Sequence, residues 1–249
     1  MWLPRRTSGL YDATLALLYP QPCAVCGRNV EARADGVACA PCWAATRTFS
    51  EEDVVCWKCG APAPGTVAEE HRREVHCRRC TDEHFAAARA CGAYEGALRA
   101  SVLALKREPY VSRRLARLLL ETQRRPPLNN ATLIVPLPLH PERERERGFN
   151  QAAALARSLA RLTALPIDEW SVARTLHTER HRAGMDTRAR RESVATAFTV
   201  ARPRLIANER ILLVDDVFTT GATVSACAGA LSEAGALEVF VLTVARAIG

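Results

Sequence analysis

Apolar and polar positions change their spacing several times along this chain, and each change marks an element. Ile211 to Val214 is an unbroken apolar run, short enough for a strand buried on both faces. Asp215 and Asp216 stand at its end, followed by Thr219-Thr220-Gly221-Ala222-Thr223 and an alanine-rich helical pattern from Val224 to Ala234. Leu133 to Leu139 is a second apolar run, whose prolines 136 and 138 force an extended exit. It leads into the alternating acids and bases of Glu142 to Arg147, for which a self-neutralising exposed turn is the plain alternative over Glu142 to Glu146, then Gly148-Phe149-Asn150 and an alanine/leucine helix to Leu165. Regular structure resumes at Ala90 to Tyr94. A basic amphipathic helical stretch follows from Leu98 to Leu120, interrupted near Pro109, and Arg124 to Asn130 is a proline-rich connector. Between Trp170 and Val200, two strand-like stretches flank an exposed basic insert, His177 to Arg191. Val239 to Ala245 closes the alternation. The pattern predicts an α/β fold over residues 91–249, a mainly parallel sheet flanked by helices.

The region in front of that domain is organised by cysteine. Eight of the ten cysteines form Cys-x-x-Cys pairs: Cys23/Cys26, Cys39/Cys42, Cys56/Cys59 and Cys77/Cys80. Two intervening residues let both thiolates meet one tetrahedral ion, and a second pair completes the set. Twelve residues separate the first two pairs and seventeen the last two, both suited to zinc-ribbon loops. Cys-Ala-Val-Cys-Gly and Cys-Trp-Lys-Cys-Gly open the two units, an internal duplication. Residues 23–90 are therefore expected to form a double zinc ribbon with two structural zinc ions. Chelation is expected to unfold residues 23–80 and spare the rest. Disulfides fit poorly with adjacent Cys-x-x-Cys pairs in a cytosolic chain. Cys91 and Cys227 read as small core residues.

Composition bounds the class. At 249 residues, with 48% hydrophobic and 24% charged, the chain suits one α/β domain plus a smaller module. Residues 1–22 read as an N-terminal amphipathic helix, with no signal-peptide pattern and no apolar stretch of membrane-spanning length. The expectation is a cytoplasmic protein without membrane insertion, with self-association left open. The net charge of +7 is uneven: residues 99–125 carry eight basic and two acidic side chains, residues 174–204 eight and three. Such clusters suit anionic ligands, whether pyrophosphate or a nucleic acid backbone; a solvated helix face is the plain alternative.

The chemistry concentrates on the strand–loop–helix unit at 211–234. Gly221 permits close backbone approach, the first helix amides point toward an anion, and the threonine hydroxyls add donors. Asp215 and Asp216 suit a sugar diol and attract Mg²⁺. A 5-phosphorylated ribose satisfies all of these groups. A P-loop ATPase is excluded, because neither of the two lysines, Lys58 and Lys106, follows a glycine. Asp-Asp-x-x-Thr-Thr-Gly-x-Thr resembles the phosphoribosyl pyrophosphate (PRPP) signature of type I phosphoribosyltransferases. It assigns PRPP to Val214, Asp215, Asp216, Thr219, Thr220, Gly221, Ala222 and Thr223, with Asp215 and Asp216 catalytic and Mg²⁺ accompanying PRPP. Arg145, Arg147, Gly148 and Asn150 are candidates for the leaving pyrophosphate. His181, Arg182 and Arg191 fall on the basic insert, read either as a flap over the site or as a plain surface hairpin.

Nearly the full length resembles the ComF family. The resemblance is carried by the cysteine ribbons, Tyr94 with Gly96 and Leu98, Leu105-Lys106 and Val135-Pro136-Leu137-Pro138-Leu139. It continues through Arg147-Gly148-Phe149-Asn150-Gln151, Arg191 before Ala197-Phe198, and Asp215 to Thr223. His181 and Ser193 depart from residues common in the family, glutamine and asparagine. The resemblance implies a role in DNA uptake during natural transformation, contact with single-stranded DNA, and cooperation with a competence helicase and a recombination mediator. Two functions stay open: phosphoribosyl transfer from PRPP to an acceptor, or a DNA-handling adaptor whose PRPP pocket is regulatory or vestigial.

Overall fold

The structure, a computed structural model, describes residues 21–80, 82–175 and 197–248. Four parallel strands form the central sheet: β1 (Ala87–Ala93), β2 (Leu133–Pro136), β5 (Arg210–Phe218) and β6 (Glu238–Arg246), in the order β1-β6-β5-β2. The expected parallel α/β sheet is therefore present. A two-stranded antiparallel ribbon, β3 (Val172–Arg174) with β4 (Phe198–Val200), stands beside it.

Strand pleat sorts β5 between two cores. Leu212 and Val214 face a cluster that contains Leu98, Leu105, Leu115, Leu119, Leu155 and Leu159. These come from α2 (Gly96–Leu105), α3 (Arg113–Gln123) and α5 (Gln151–Thr163). Ile211 and Leu213 face the other cluster, with Val224, Cys227, Ala228 and Leu231 of α6 (Ala222–Glu233). Period-two alternation thus sends Asp216 toward the α2 side and Asp215 toward α6.

Two local expectations are corrected. The strand does not stop at Val214, because β6 continues to Arg246 and pairs Asp215, Val217 and Phe218 with Thr243, Ala245 and Arg246. Both aspartates are strand residues, Thr219, Thr220 and Gly221 make the turn, and Thr223 already belongs to α6. Glu142 to Glu146 is not a bare turn but part of a helix, α4 (Pro141–Arg147). Pro141 occupies its first turn, His140 Nδ1 accepts from the Glu142 amide at 3.3 Å, and Gly148 ends it at φ +80°. Acids in its first turn and arginines in its last complement the helix dipole. The interruption near Pro109 is borne out, separating α2 from α3.

The cysteine region is a duplicated unit in its backbone as well as its sequence. Cys23 N donates to Arg28 O and Cys56 N to Ala61 O; Gly27 N donates to Cys23 O and Gly60 N to Cys56 O. In both, the third cysteine closes the knuckle: the Cys39 and Cys77 amides lie 3.3 Å from Cys23 and Cys56 Sγ. Both units are built into the α/β domain. Ala88 N donates to Lys58 O, Phe49 N to Cys91 O and Ala93 N to Arg47 O, so the ribbons seal the outer edge of β1. Trp43, in α1 (Ala40–Ala44), is buried and carries the Arg114 guanidinium 4.9 Å from its ring centroid. Cys91 and Cys227 are buried core residues; burial pushes the Cys91 thiol up to about 11 and the Cys227 thiol also up.

Candidate functional site

A cleft of about 200 Å³ opens at the carboxyl end of β5, bounded by the 219–223 loop, α4 and the end of α2. Asp215, Asp216, Thr219, Gly221 and Thr223 form one wall, and Lys106, Arg143, Arg147 and Arg174 supply four cationic side chains. Among the described residues this leaves an excess of positive charge over the two carboxylates, the balance that favours a polyanion. The location is the one that open parallel sheets use for ligands.

Gly221 sits at φ +86° and begins α6. A Cβ there would lie 2.7 Å from the Phe218 ring, so both conformation and crowding require glycine. Thr220 Oγ1 accepts from the Ala222 amide at 3.4 Å, so this amide is held within the loop.

The aspartates differ. Asp216 is 6% exposed and its Oδ2 lies 3.1 Å from Lys106 Nζ, an ion pair across the floor of the cleft. Asp215 is partly buried, and its Oδ1 accepts from the Asp216 amide at 2.8 Å. Burial, together with the neighbouring Asp216 carboxylate, holds the Asp215 carboxyl well above the usual carboxylate range. Lys106 opposes that rise. Arg174, pulled down mainly by burial and then by Arg143, has its guanidinium over the Phe198 ring at 5.6 Å.

The structure brings Arg147 to the cleft, hydrogen-bonded to Gln151, while the other pyrophosphate candidates are elsewhere or otherwise engaged. Arg145 is exposed and its Nε donates to Pro141 O at 3.4 Å. Asn150 caps α5 through Oδ1 and donates from Nδ2 to Leu137 O at 3.0 Å. Gly148 terminates α4. His181, Arg182 and Arg191 lie outside the described residues. Lys106, Arg143 and Arg174 carried no assigned role in the sequence. The signal for Lys106 is composition: 32 of 34 basic residues are arginine, and one of the two lysines faces the acidic pair.

The cysteines gather as two sets, Cys23, Cys26, Cys39 and Cys42, and Cys56, Cys59, Cys77 and Cys80, as the spacing predicts. Sulfur–sulfur distances of 3.6 Å between Cys26 and Cys39 and 3.5 Å between Cys56 and Cys80 approach the edge, about 3.8 Å, of a tetrahedron with zinc–sulfur bonds of about 2.3 Å. Backbone amides aimed at Cys23 and Cys56 complete the fit. Both sets suit a closed structural zinc site. Among the described residues, no helix is long and apolar enough to cross a membrane.

The family model for the double zinc ribbon domain matches residues 14–81. Competence protein F of Haemophilus influenzae is 36% identical over 146 residues, 55% of this chain and 62% of that protein. DNA utilization protein YhgH of Escherichia coli is 30% identical over 218 residues, 84% of this chain and 90% of that protein. Among solved structures, a glutamine PRPP amidotransferase from Bacillus subtilis is similar at 18% identity and TM-score 0.35, over 59% of this chain and 26% of that one. A purine phosphoribosyltransferase from Pyrococcus horikoshii is similar at 15% identity and TM-score 0.33, over 53% and 80%. With YhgH matched over nine-tenths of its length, and the double zinc ribbon model matched in front, the chain belongs to the ComF family of competence and DNA utilization proteins.

Proposed function

We propose that the cleft binds PRPP with Mg²⁺ and that the chain transfers the phosphoribosyl group to an acceptor during the handling of DNA. The observation that carries this reading is that Asp215, Asp216 and the 219–223 loop line one cleft together with Lys106, Arg143, Arg147 and Arg174. The loop takes the 5-phosphate through its hydroxyls and amides. Asp215 and Asp216 accept from the ribose hydroxyls, and their charge stabilises the positive character that develops on the ring as the bond to pyrophosphate breaks. Arg143, Arg147 and Arg174 hold the pyrophosphate oxygens. Mg²⁺, when bound with PRPP, neutralises the departing pyrophosphate. Each cysteine set holds one structural zinc.

A second reading draws on the Lys106–Asp216 pair. A carboxylate already neutralised at rest suits reversible occupancy without turnover, in a cytoplasmic adaptor that contacts single-stranded DNA, a competence helicase and a recombination mediator. Calorimetry with PRPP and Mg²⁺, followed by single-turnover pyrophosphate release with candidate acceptors, separates the two. Binding with release supports the transferase, binding without release supports the adaptor, and absence of binding refutes the sugar-phosphate reading itself.

A further inference from the structure

Arg246 joins the second cysteine set to the underside of the phosphate loop. It ends β6 and pairs in register with Phe218, the last residue of β5. Its Nη1 donates to Cys59 O at 2.6 Å, and its Nη2 lies 3.8 Å from Cys59 Sγ. The same guanidinium covers the Phe218 ring, 4.6 Å from its centroid. Phe218 is 4% exposed, wedged edge-on against Phe85 with centroids 5.9 Å apart and planes at 84°. The tip of the ring lies against Gly221, with no room for a Cβ between them. Cys59, Arg246, Phe218 and Gly221 therefore form one continuous line of contact.

A metal in this set fixes both acceptors that Arg246 uses, since the Cys59 carbonyl and sulfur belong to the knuckle that closes around it. Without the metal the knuckle gains freedom, the guanidinium loses its fixed acceptors, and the ring it covers is no longer held against the loop. A close-packed contact of this kind shifts between discrete arrangements and does not deform smoothly. The first set offers an internal contrast. Its unit leans on α2 and α3, through Thr46 with Ala97 and through Arg114 with Trp43 and Asp35. None of these contacts reaches Phe218 or Gly221.

We infer that metal occupancy of the Cys56/Cys59/Cys77/Cys80 set controls the affinity of the phosphate loop, with Arg246 as the positioning residue between them. The inference rests on the sugar-phosphate reading of the cleft. Linkage makes it reciprocal: if zinc in the second set tightens PRPP, PRPP must tighten zinc there by the same factor.

The test is an equilibrium competition between the zinc-loaded full chain and a zinc chelator, with and without PRPP and Mg²⁺. Exposed thiols are alkylated with N-ethylmaleimide and mapped by peptide mass, so each cysteine set is read separately. PRPP is expected to raise zinc affinity at the second set about tenfold, within the usual range of coupling between sites. The first set is expected to stay unchanged. Arg246→Lys, and independently Phe218→Leu, are expected to shrink that shift to less than about twofold. An equal shift at both sets, or none, in a wild type that calorimetry shows to bind PRPP would overturn the coupling and leave the pocket standing. A full shift retained in folded Arg246→Lys would remove Arg246 from the account. Absence of calorimetric PRPP binding by zinc-loaded wild type overturns both the coupling and the reading beneath it.

Discussion

Lys106 and Asp216 form an ion pair of 3.1 Å between the C-terminal end of α2 and the acidic end of β5. The side chains are 36% and 9% exposed, so the carboxylate is buried and its partner is partly in water. The contact ties a helix on one face of the sheet to the acids that define the cleft. It also supplies the one lysine among the cleft's four cations.

Removing that lysine strands a buried carboxylate beside a second one. Lys106→Met should lower stability by roughly 1–2 kcal/mol, less than a fully buried pair because Lys106 is partly solvated. Lys106→Arg should recover most of it. Urea denaturation of the three proteins checks this; equal midpoints would mean that the pair contributes nothing.

The Asp215 carboxyl gives a pH signature. Its folded pKa is raised above the ordinary 3.8, so the folded state holds the proton more tightly than the unfolded state. This group therefore subtracts stability as pH climbs above about 4, and the loss is complete once pH passes the folded value. Asp215→Asn carries no such proton. In ligand-free protein, its melting temperature should gain on wild type as pH rises from about 4 toward neutrality. A difference that stays constant across that range would contradict the buried-acid account.

Zinc content and chelation test the ribbons. Loaded protein should carry two zinc ions per chain, one for each set of four cysteines. The sequence alone leads one to expect that chelation unfolds residues 23–80 and spares the rest. The structure revises that expectation, because Arg47, Phe49 and Lys58 pair with β1 and the cysteines lie within both hydrophobic cores. Chelation should thus lower the melting temperature of the whole chain, and amide exchange should rise in β1 together with the ribbons. Unchanged protection of β1 would restore the view of an independent module.

The basic stretch at 99–125 divides in the structure. Arg114 is committed to Asp35 and the Trp43 ring, so reversing it would loosen the first ribbon. Arg113, Arg117 and Arg124 are exposed. Their joint replacement by glutamate should weaken single-stranded DNA binding and flatten its salt dependence, with PRPP binding unaffected. The logarithmic slope should fall by about 0.7 for each phosphate that is no longer neutralised. Filter binding across a salt series measures it. An unchanged slope would place any DNA-binding surface elsewhere.

Much of this was legible from residues, and the failures have physical causes. The two ribbons followed from thiol spacing, which is a strict requirement of tetrahedral coordination. The strand–loop–helix unit followed from Ile211 to Val214, Gly221 and the alanine-rich helix. The strand's true length was not legible, since the pairing of Asp215 and Phe218 is decided by β6, a partner far along the chain. Asn150 looked free because its role as the α5 cap depends on where that helix begins. Lys106 and Arg174 reach the cleft from the end of α2 and from β3, and no local spacing reports such a convergence.

Calorimetry with PRPP and Mg²⁺ on the Asp215→Asn/Asp216→Asn double variant tests whether the two aspartates hold a phosphorylated sugar. The change is nearly isosteric and removes two charge-assisted hydrogen bonds, each worth roughly 1.5–3 kcal/mol. The double variant should fold and bind PRPP about two to three orders of magnitude more weakly than wild type. A folded double variant that binds PRPP as tightly as wild type, or a wild type that does not bind it, would mean that the aspartates hold no sugar phosphate.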